Sequence, residues 1–236
     1  ARSPTGAAPR PRGWGVPSRI TPSWEPLGAW GPPAAGNAGA MPAQESAGDA
    51  LLLVDLQVDY FADDELARCR EDVVAACNRL ADAAHRHGVP VLEIRTEHEP
   101  DRSTWTLTML EDDQGVVVRD TAGAARAEGL EPGAADCVLK TRDSAFFGTD
   151  LGERLAALDV RRVGLCGGST ESCVAATARD AFAHDLQVVL VSDATASVDP
   201  DEHDHTLEML RVQHRQQVRT ADEVVAAWDG HDAEGS

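Results

Sequence analysis

Three side chains that could act together in nucleophilic catalysis follow predicted buried strands. Asp55 comes directly after one short apolar run, Lys140 closes another, and Cys173 follows a third after a brief turn. Because ligands bind at the carboxyl ends of the strands in a parallel sheet, we expect the three side chains to converge. A carboxylate can take the proton of a thiol, the thiolate is a strong nucleophile, and a nearby ammonium favours both ionised forms. The set therefore predicts covalent catalysis by a cysteine.

The turn before Cys173 predicts how its sulfur is activated. Thr170 is a good helix N-cap, which places Cys173 about three residues into a helix. Free backbone N–H groups at the start of a helix favour a thiolate and can also bind an oxyanion. Gly167 and Gly168 give the backbone of this turn access to unusual dihedral angles.

Each candidate residue could also have a role that is not catalytic. An Asp after a strand often only caps a turn, and a lysine is usually solvated at the surface. Lys140, however, is the only lysine of the chain, and it directly follows apolar residues. A cysteine in a reducing compartment is commonly buried and inert. We expect this inert state for the four cysteines on apolar faces: Cys69, Cys77, Cys137 and Cys166.

The sequence from residue 50 onward alternates strand-like and helical segments. The strand-like runs are 50–54, 89–94, 136–140, 161–166 and 187–192. The helical segments are near 64–87, 150–158, 171–184, 201–215 and 221–228. Repeated β–α units of this length predict a parallel sheet with helices on both faces. We therefore expect an α/β fold, a three-layer α/β/α Rossmann-like domain with a mainly parallel six-stranded sheet.

Proline content separates the N-terminal segment from the rest of the chain. Residues 1–48 hold nine of the 13 prolines, so we expect a disordered arm there. One hypothesis is that residues 1–40 precede a natural start at Met41, and the alternative is an arm that docks on a partner. The folded domain is predicted over 49–230 and a flexible C-terminus over 231–236.

Charge and cysteine content argue against several kinds of partner. The formal net charge of −19 would repel phosphate groups, which disfavours nucleic acid and anionic membranes. No apolar run reaches the roughly 18 residues of a membrane-spanning helix. Five cysteines without a C-x-x-C pair, together with no apolar N-terminal segment, favour a reduced, cytoplasmic setting without disulfides or a zinc knuckle. The remaining partner class is a small-molecule substrate.

The segment 97–132 interrupts the alternation and is long for a loop in a compact domain. We expect part of it to cover the pocket, with Trp105 facing the substrate; the alternative for Trp105 is an anchor for its own loop. His98 is interpreted as a loop histidine. His203 and His205 stand two residues apart on a charged helix and so face different directions, which favours a solvated helix face over metal ligation.

Three segments together resemble the isochorismatase-like cysteine hydrolases. They are LLLVDLQVDYF around Asp55, VLKTRDSAFFGTDL around Lys140, and GLCGGSTESCVAATARDAF around Cys173. This superfamily includes nicotinamidase, N-carbamoylsarcosine amidohydrolase and ureidoacrylate amidohydrolase. The resemblance covers residues 50–228, and three motifs in the right order are far more specific than any one alone.

The resemblance implies roles for particular residues. Asp55, Lys140 and Cys173 would form an Asp–Lys–Cys triad. A cis peptide would join Gly168 and Ser169, and the backbone N–H groups of Ser169 and Cys173 would form the oxyanion hole. The substrate pocket would be lined by Tyr60, which replaces the Phe of the family signature, and by Phe146. Val58 replaces the family's usual Asn, which removes a polar side chain at that position.

The resemblance also implies a reaction, in which the thiolate attacks a small amide, ureido or carbamoyl compound and forms a thioester. No cofactor is expected, and relatives are often dimers or tetramers, so a homo-oligomer is expected. A metal site like that of nicotinamidases is disfavoured, because the segment RTEHEPDRSTW contains His98 but no D-x-H motif. Two alternatives remain at this point: a vinyl-ether hydrolase of the isochorismatase type, and a non-catalytic binding protein on the same fold.

Overall fold

A computed structural model describes residues 48–234, with side chains described for 48–230. Its strands are β1 Asp49–Val54, β2 Val91–Thr96, β3 Asp136–Lys140, β4 Arg162–Gly168, β5 Gln187–Ala196 and β6 Gln217–Arg219. Its α-helices are α1 Asp64–Arg86, α2 Leu107–Glu111, α3 Leu151–Ala157, α4 Ala175–Ala183, α5 Pro200–His214 and α6 Ala221–Glu234. Short 3-10 turns span Val58–Phe61 and Ala122–Ala124, and a π-helical turn spans Thr170–Val174.

The strands form one sheet in the order β3-β2-β1-β4-β5-β6, and every neighbouring pair is parallel. This arrangement confirms the predicted six-stranded α/β fold. The strand order reverses direction between β1 and β4, so a crevice opens beyond their carboxyl ends, where ligands bind in such sheets. The sixth strand, at residues 217–219, was not among the predicted runs because three residues are too short to show a period.

Alternate residues of the central strand β1 pack into two separate cores. Leu51 and Leu53 lie with apolar residues of α1 and α6 on one face of the sheet. Leu52 and Val54 lie with apolar residues of α3, α4 and α5 on the other face. The strand is buried throughout, which explains why it reads as a continuous apolar run instead of an alternating one. The three-layer arrangement fixes the carboxyl end of β1 at the centre of the crevice.

The second strand starts and ends two residues later than the predicted run 89–94. Pro90 has no N–H to donate to a ladder and lies before the strand, so β2 begins at Val91. The strand consequently ends at Thr96, which pairs with Lys140 of β3. The later end brings a threonine, instead of an isoleucine, to the edge of the sheet where Asp55 lies.

The described residues include only some of the predicted domain boundaries. The disordered arm predicted over 1–48 falls almost entirely outside the described residues. At the other end, α6 continues to Glu234, beyond the boundary predicted at residue 230, and residues 235–236 lie outside the described part. Across residues 48–234, none of the helices combines the length and the apolar composition that crossing a membrane would need.

Gly167 is the glycine on which the junction of β1 and β4 most depends, so Gly167→Ala should be strongly destabilising. Its φ is +124°, and a Cβ there would lie 1.9 Å from the backbone oxygen of Val54. We expect a loss of about 3 kcal/mol or more in the free energy of unfolding, measured by urea denaturation. The matched control is Gly230→Ala, because nothing lies within 4 Å of that position in α6. Equal stability of the two variants would contradict this assignment.

Candidate active site

Asp55, Lys140 and Cys173 meet at the carboxyl ends of the strands, as their positions in the sequence predict. The Lys140 ammonium lies 2.7 Å from Asp55 Oδ2 and 3.5 Å from Cys173 Sγ. Asp55 follows β1, Lys140 ends β3, and Cys173 lies in the π-helical turn after β4. Lys140 reaches the centre of the sheet because its long side chain passes over the end of β2.

The backbone at the site has two unusual conformations. Asp55 has a φ of +52°, which is uncommon for a residue other than glycine and often marks a functional position. The peptide bond between Gly168 and Ser169 is cis, as the resemblance implied. The first conformation directly follows β1 and the second is at the end of β4, and these two strands flank the crevice. The site is therefore built on the most buried part of the sheet and not on the surface loops.

The Asp55–Lys140 ion pair is fully buried on both sides. Burial alone would lower the pKa of Lys140, but the negative charge of Asp55 and the proximity of Cys173 outweigh it, and the pKa is raised. Lys140 is therefore a permanent cation at neutral pH. A buried ion pair of this kind is weak evidence for stability, because desolvating both charges costs about as much as their attraction supplies. A charged pair kept dry beside a thiol is better explained by chemistry.

The structure corrects the predicted state of Cys173. Burial and the negative charge of Asp55 raise the pKa of the Cys173 thiol to about 12, although Lys140 acts in the opposite direction. The resting sulfur is thus a thiol, not the thiolate expected at a helix start. The local geometry also differs, since the residue before the turn is Ser169 and its side chain makes no capping bond. Thr170, predicted as the N-cap, is fully buried and its hydroxyl bonds to His203 Nδ1 at 2.8 Å.

This assignment predicts the pH at which the sulfur ionises. Thiolate absorbance from Cys173 should be absent below about pH 9, the ordinary range of a cysteine, and should grow only at more alkaline pH. The measurement is the ultraviolet titration of the wild type minus that of Cys173→Ser, so that the other four cysteines cancel. A thiolate signal from Cys173 at neutral pH would contradict the raised pKa and restore the original expectation.

Two residues that the sequence did not single out complete the buried network. Thr96 donates its backbone N–H and its hydroxyl to Asp55 Oδ1, at 2.9 and 2.8 Å, and its hydroxyl accepts from Lys140 at 2.6 Å. Gln57 is fully buried; its amide donates to the carbonyls of Thr96 and Ala124 and accepts from the Thr96 N–H. Gln57 thereby ties the end of β2 to the segment 97–132. The D-x-Q pattern after β1 was a signal for Gln57, whereas Thr96 had none.

Tyr60, which the resemblance implies for the substrate pocket, lies beside this network. Burial and the negative charge of Asp55 raise its pKa, and its hydroxyl is within hydrogen-bonding range of Thr96. The phenol therefore stays protonated and can donate. Its 3-10 turn is held in place by Asp59, whose carboxylate accepts from the N–H of Val117 at 2.7 Å. The long segment thus packs against the turn that carries Tyr60.

The two other predicted pocket residues contact different parts of the fold. The indole of Trp105 donates to the carbonyl of Glu99 at 3.1 Å, and the Arg102 guanidinium lies 4.8 Å from its ring. These contacts are those of an anchor within the 97–132 segment, which was the alternative. Phe146 stacks on His184 with ring centroids 4.7 Å apart. His184 follows the last residue of α4, so this contact is at the opposite end of that helix from the thiol.

Metal ligation by the described histidines is a separate question from the triad. Within residues 48–230, no group of three or more His, Cys, Asp or Glu side chains could hold a metal ion. His98 is buried and its Nδ1 lies 2.9 Å from the carbonyl of Thr104; burial lowers its pKa, so it is a neutral loop residue. His205 is exposed as predicted, but His203 is half-buried and bonds to Thr170, so a solvated face is wrong for His203.

The other cysteines differ in exposure. Cys77 and Cys166 are buried, which confirms the expectation for these two, and Cys69 is half-buried. Cys137 is exposed on the edge strand β3, so the expectation of an apolar, buried position is wrong for it. An edge strand lacks a covering neighbour on one side, and this cannot be read from the apolar run alone.

Comparisons with known proteins identify the family of this domain. The isochorismatase domain matches residues 49–223. A probable isochorismatase from Pseudomonas chlororaphis is 32% identical over 178 residues, covering 75% of this chain and 84% of the relative. A probable inactive nicotinamidase from Arabidopsis thaliana is 29% identical over 163 residues, covering 65% of this chain and 83% of the relative.

A solved structure adds a match of the fold. The cysteine hydrolase from Pseudomonas syringae pv. phaseolicola 1448A has a TM-score of 0.72 at 25% identity, covering 80% of this chain and 96% of that one. The domain match includes every strand and the whole of the buried network. The chain therefore belongs to the isochorismatase family, and it is a hydrolase of that family.

Proposed function

We propose that this hydrolase is a cysteine-dependent amidohydrolase that cleaves a C–N bond of a small amide, ureido or carbamoyl compound through a thioester. The observation that carries the proposal is the arrangement of Cys173 with Asp55. The Asp55 carboxylate is within hydrogen-bonding range of the Cys173 thiol. Its Oδ1 already accepts two hydrogen bonds from Thr96, and its Oδ2 lies 2.7 Å from the Lys140 ammonium. That oxygen is the acceptor available for the thiol proton.

The proposed acylation starts from the neutral thiol. Asp55 Oδ2 takes the proton of Cys173 while the sulfur attacks the carbonyl carbon, so charge develops next to the Lys140 ammonium instead of being stored beforehand. The backbone N–H groups of Ser169 and Cys173 are the proposed donors to the tetrahedral oxyanion. Collapse breaks the C–N bond, and the leaving amine or ammonia takes the proton from Asp55.

Deacylation reverses the direction of proton transfer. Asp55 takes a proton from water as the water oxygen attacks the thioester carbon. The second tetrahedral intermediate expels the Cys173 sulfur, which regains its proton from Asp55, and the acid product leaves. Each proton taken by Asp55 is returned, so the enzyme ends each turnover in its starting state.

The experiment is a release assay on purified protein with a defined panel. Ammonia release would be followed with nicotinamide, N-carbamoylsarcosine and ureidoacrylate, and release of the ether product would be followed with isochorismate. The proposal expects C–N cleavage of at least one amide, ureido or carbamoyl compound and no dependence of any ether cleavage on Cys173. Turnover of isochorismate alone would favour the ether hydrolase. Binding of these compounds without turnover would favour a non-catalytic protein.

The same proposal includes the setting of the enzyme. We propose a cytoplasmic homo-oligomer, a dimer or tetramer, in which Tyr60 lines the substrate pocket. Trp105 and Phe146 remain predictions for the pocket, although their contacts are with the 97–132 segment and with His184. Sedimentation of the purified protein measures the oligomeric state directly.

A further inference from the structure

Thr96 lies at the centre of the buried network, and its hydrogen-bond partners there are residues of the site. It pairs with Lys140 across the β2–β3 ladder, and its hydroxyl bonds to both members of the ion pair. We infer that Thr96 is a positioning residue, whose hydroxyl holds Asp55 Oδ1 and so directs Oδ2 towards the proton of Cys173. This inference rests on the proposed function, in which Cys173 is the nucleophile.

Chemistry fixes the direction of the hydrogen bonds through the Thr96 hydroxyl. An ammonium can only donate, so the hydroxyl oxygen must accept from Lys140 at 2.6 Å. The single hydroxyl proton is then available for Asp55 Oδ1 at 2.8 Å. The Thr96 backbone N–H donates to the same oxygen at 2.9 Å. Oδ1 is therefore held by two donors, both from Thr96, and the carboxylate has a defined orientation.

The Lys140 ammonium contacts the other oxygen of the Asp55 carboxylate. Lys140 Nζ has three acceptors besides Asp55: the Thr96 hydroxyl, the carbonyl of Arg142 at 3.1 Å and Cys173 Sγ at 3.5 Å. The same ammonium lies 2.7 Å from Asp55 Oδ2, so it orients the carboxylate and the sulfur together. Removing the Thr96 hydroxyl would take one donor from Oδ1 and one acceptor from the ammonium. The carboxylate would then be free to turn, and Oδ2 would be held less firmly at the thiol.

Thr96 acts through other residues and not on the substrate. It is 3% exposed, and its hydroxyl is enclosed by Asp55, Lys140 and the nearby Tyr60 phenol. A change limited to this hydroxyl should therefore lower kcat and leave KM nearly unchanged. The titratable groups that face Cys173 are Asp55, Lys140 and Tyr60, so the reactivity of the thiol reports on the same network.

The test measures carboxamidomethylation of Cys173 by iodoacetamide as a function of pH, with the modified peptide identified by mass spectrometry. Thr96→Val keeps the shape and the backbone N–H but removes the hydroxyl. It should slow the reaction by about tenfold and move the rising limb to higher pH. Thr96→Ser, which keeps the hydroxyl, should match the wild type. Thr206→Val, a change at another buried threonine on α5, should also match it.

The outcomes separate this inference from the proposed function. An unchanged alkylation profile in a folded Thr96→Val protein would overturn the role of Thr96, even if amide hydrolysis is found. A slowed profile together with normal turnover by Cys173→Ser would support the positioning role and reject the nucleophile. If Thr96→Val does not fold by circular dichroism, Thr96→Ala removes the same hydroxyl with less bulk, and the same profile decides the question.

Discussion

Cys173→Ser should lower kcat for C–N cleavage by about 10⁴-fold or more, because a serine hydroxyl at this position is too weak an acid to be deprotonated by a carboxylate during attack. The side chain is almost fully buried, and its neighbours are placed to accept its proton and stabilise its charge. The volume change is small, so the fold should persist. The measurement is ammonia or amine release under saturating substrate.

The matched control for this variant is Cys137→Ser. Among the described residues, Cys137 is the one exposed cysteine, and it lies on the edge strand β3, away from the ion pair. It should retain wild-type turnover. Equal turnover of Cys173→Ser and the wild type would remove the thioester from the mechanism, whereas equal loss in both variants would indicate a general requirement for reduced thiols.

Asp55→Asn should have the second-largest effect, a loss of about 10³-fold in kcat, because the amide oxygen cannot take the thiol proton as the sulfur attacks. The substitution also leaves the fully buried Lys140 ammonium without its counter-charge. Breaking one partner of a buried pair typically costs about 3–5 kcal/mol, so thermal unfolding must be measured alongside activity. The activity loss should exceed what the fraction of unfolded protein explains.

The control for the charge change is Asp82→Asn, at an exposed position of α1. It makes the same chemical substitution far from the crevice and should leave both kcat and stability unchanged. If folded Asp55→Asn protein turned over substrate at the wild-type rate, the carboxylate would have no role in proton transfer, and the buried pair would be purely structural.

The sequence was sufficient for the fold and for the three converging side chains. The strand–helix alternation reflects burial of parallel strands on both faces, and a residue that directly follows such a strand must emerge at the carboxyl edge of the sheet. Asp55 and Lys140 could therefore be placed from local pattern alone. The cis bond between Gly168 and Ser169 came from the family resemblance and not from the residues themselves.

Features that depend on contacts between distant segments could not be predicted from the sequence. Thr96 was missed because a threonine at the end of a strand has no chemical signature until its partners are known, and its partners are 41 and 44 positions away in the chain. The state of Cys173 was misjudged for the same reason. A helix start favours a thiolate, but burial and the adjacent carboxylate of Asp55 are stronger and raise the pKa.

The same limit applies to the aromatic residues proposed for the pocket. Trp105 and Phe146 were chosen for their chemistry and their place near the motifs, yet the ring of one is held by its own segment and the ring of the other by His184. Tyr60 follows β1 within a short turn, so its position was constrained by the strand.

The central claim is that the Cys173 sulfur becomes acylated during turnover. The direct measurement is the intact mass of enzyme quenched in acid during steady-state hydrolysis of the amide that the release assay identifies, followed by peptide mapping. We expect a mass increase equal to the acyl part of that substrate, located on the peptide that contains Cys173, and lost when substrate is exhausted. Full product release with unmodified Cys173 at every quench time, including when hydroxylamine fails to trap an acyl product, would contradict it.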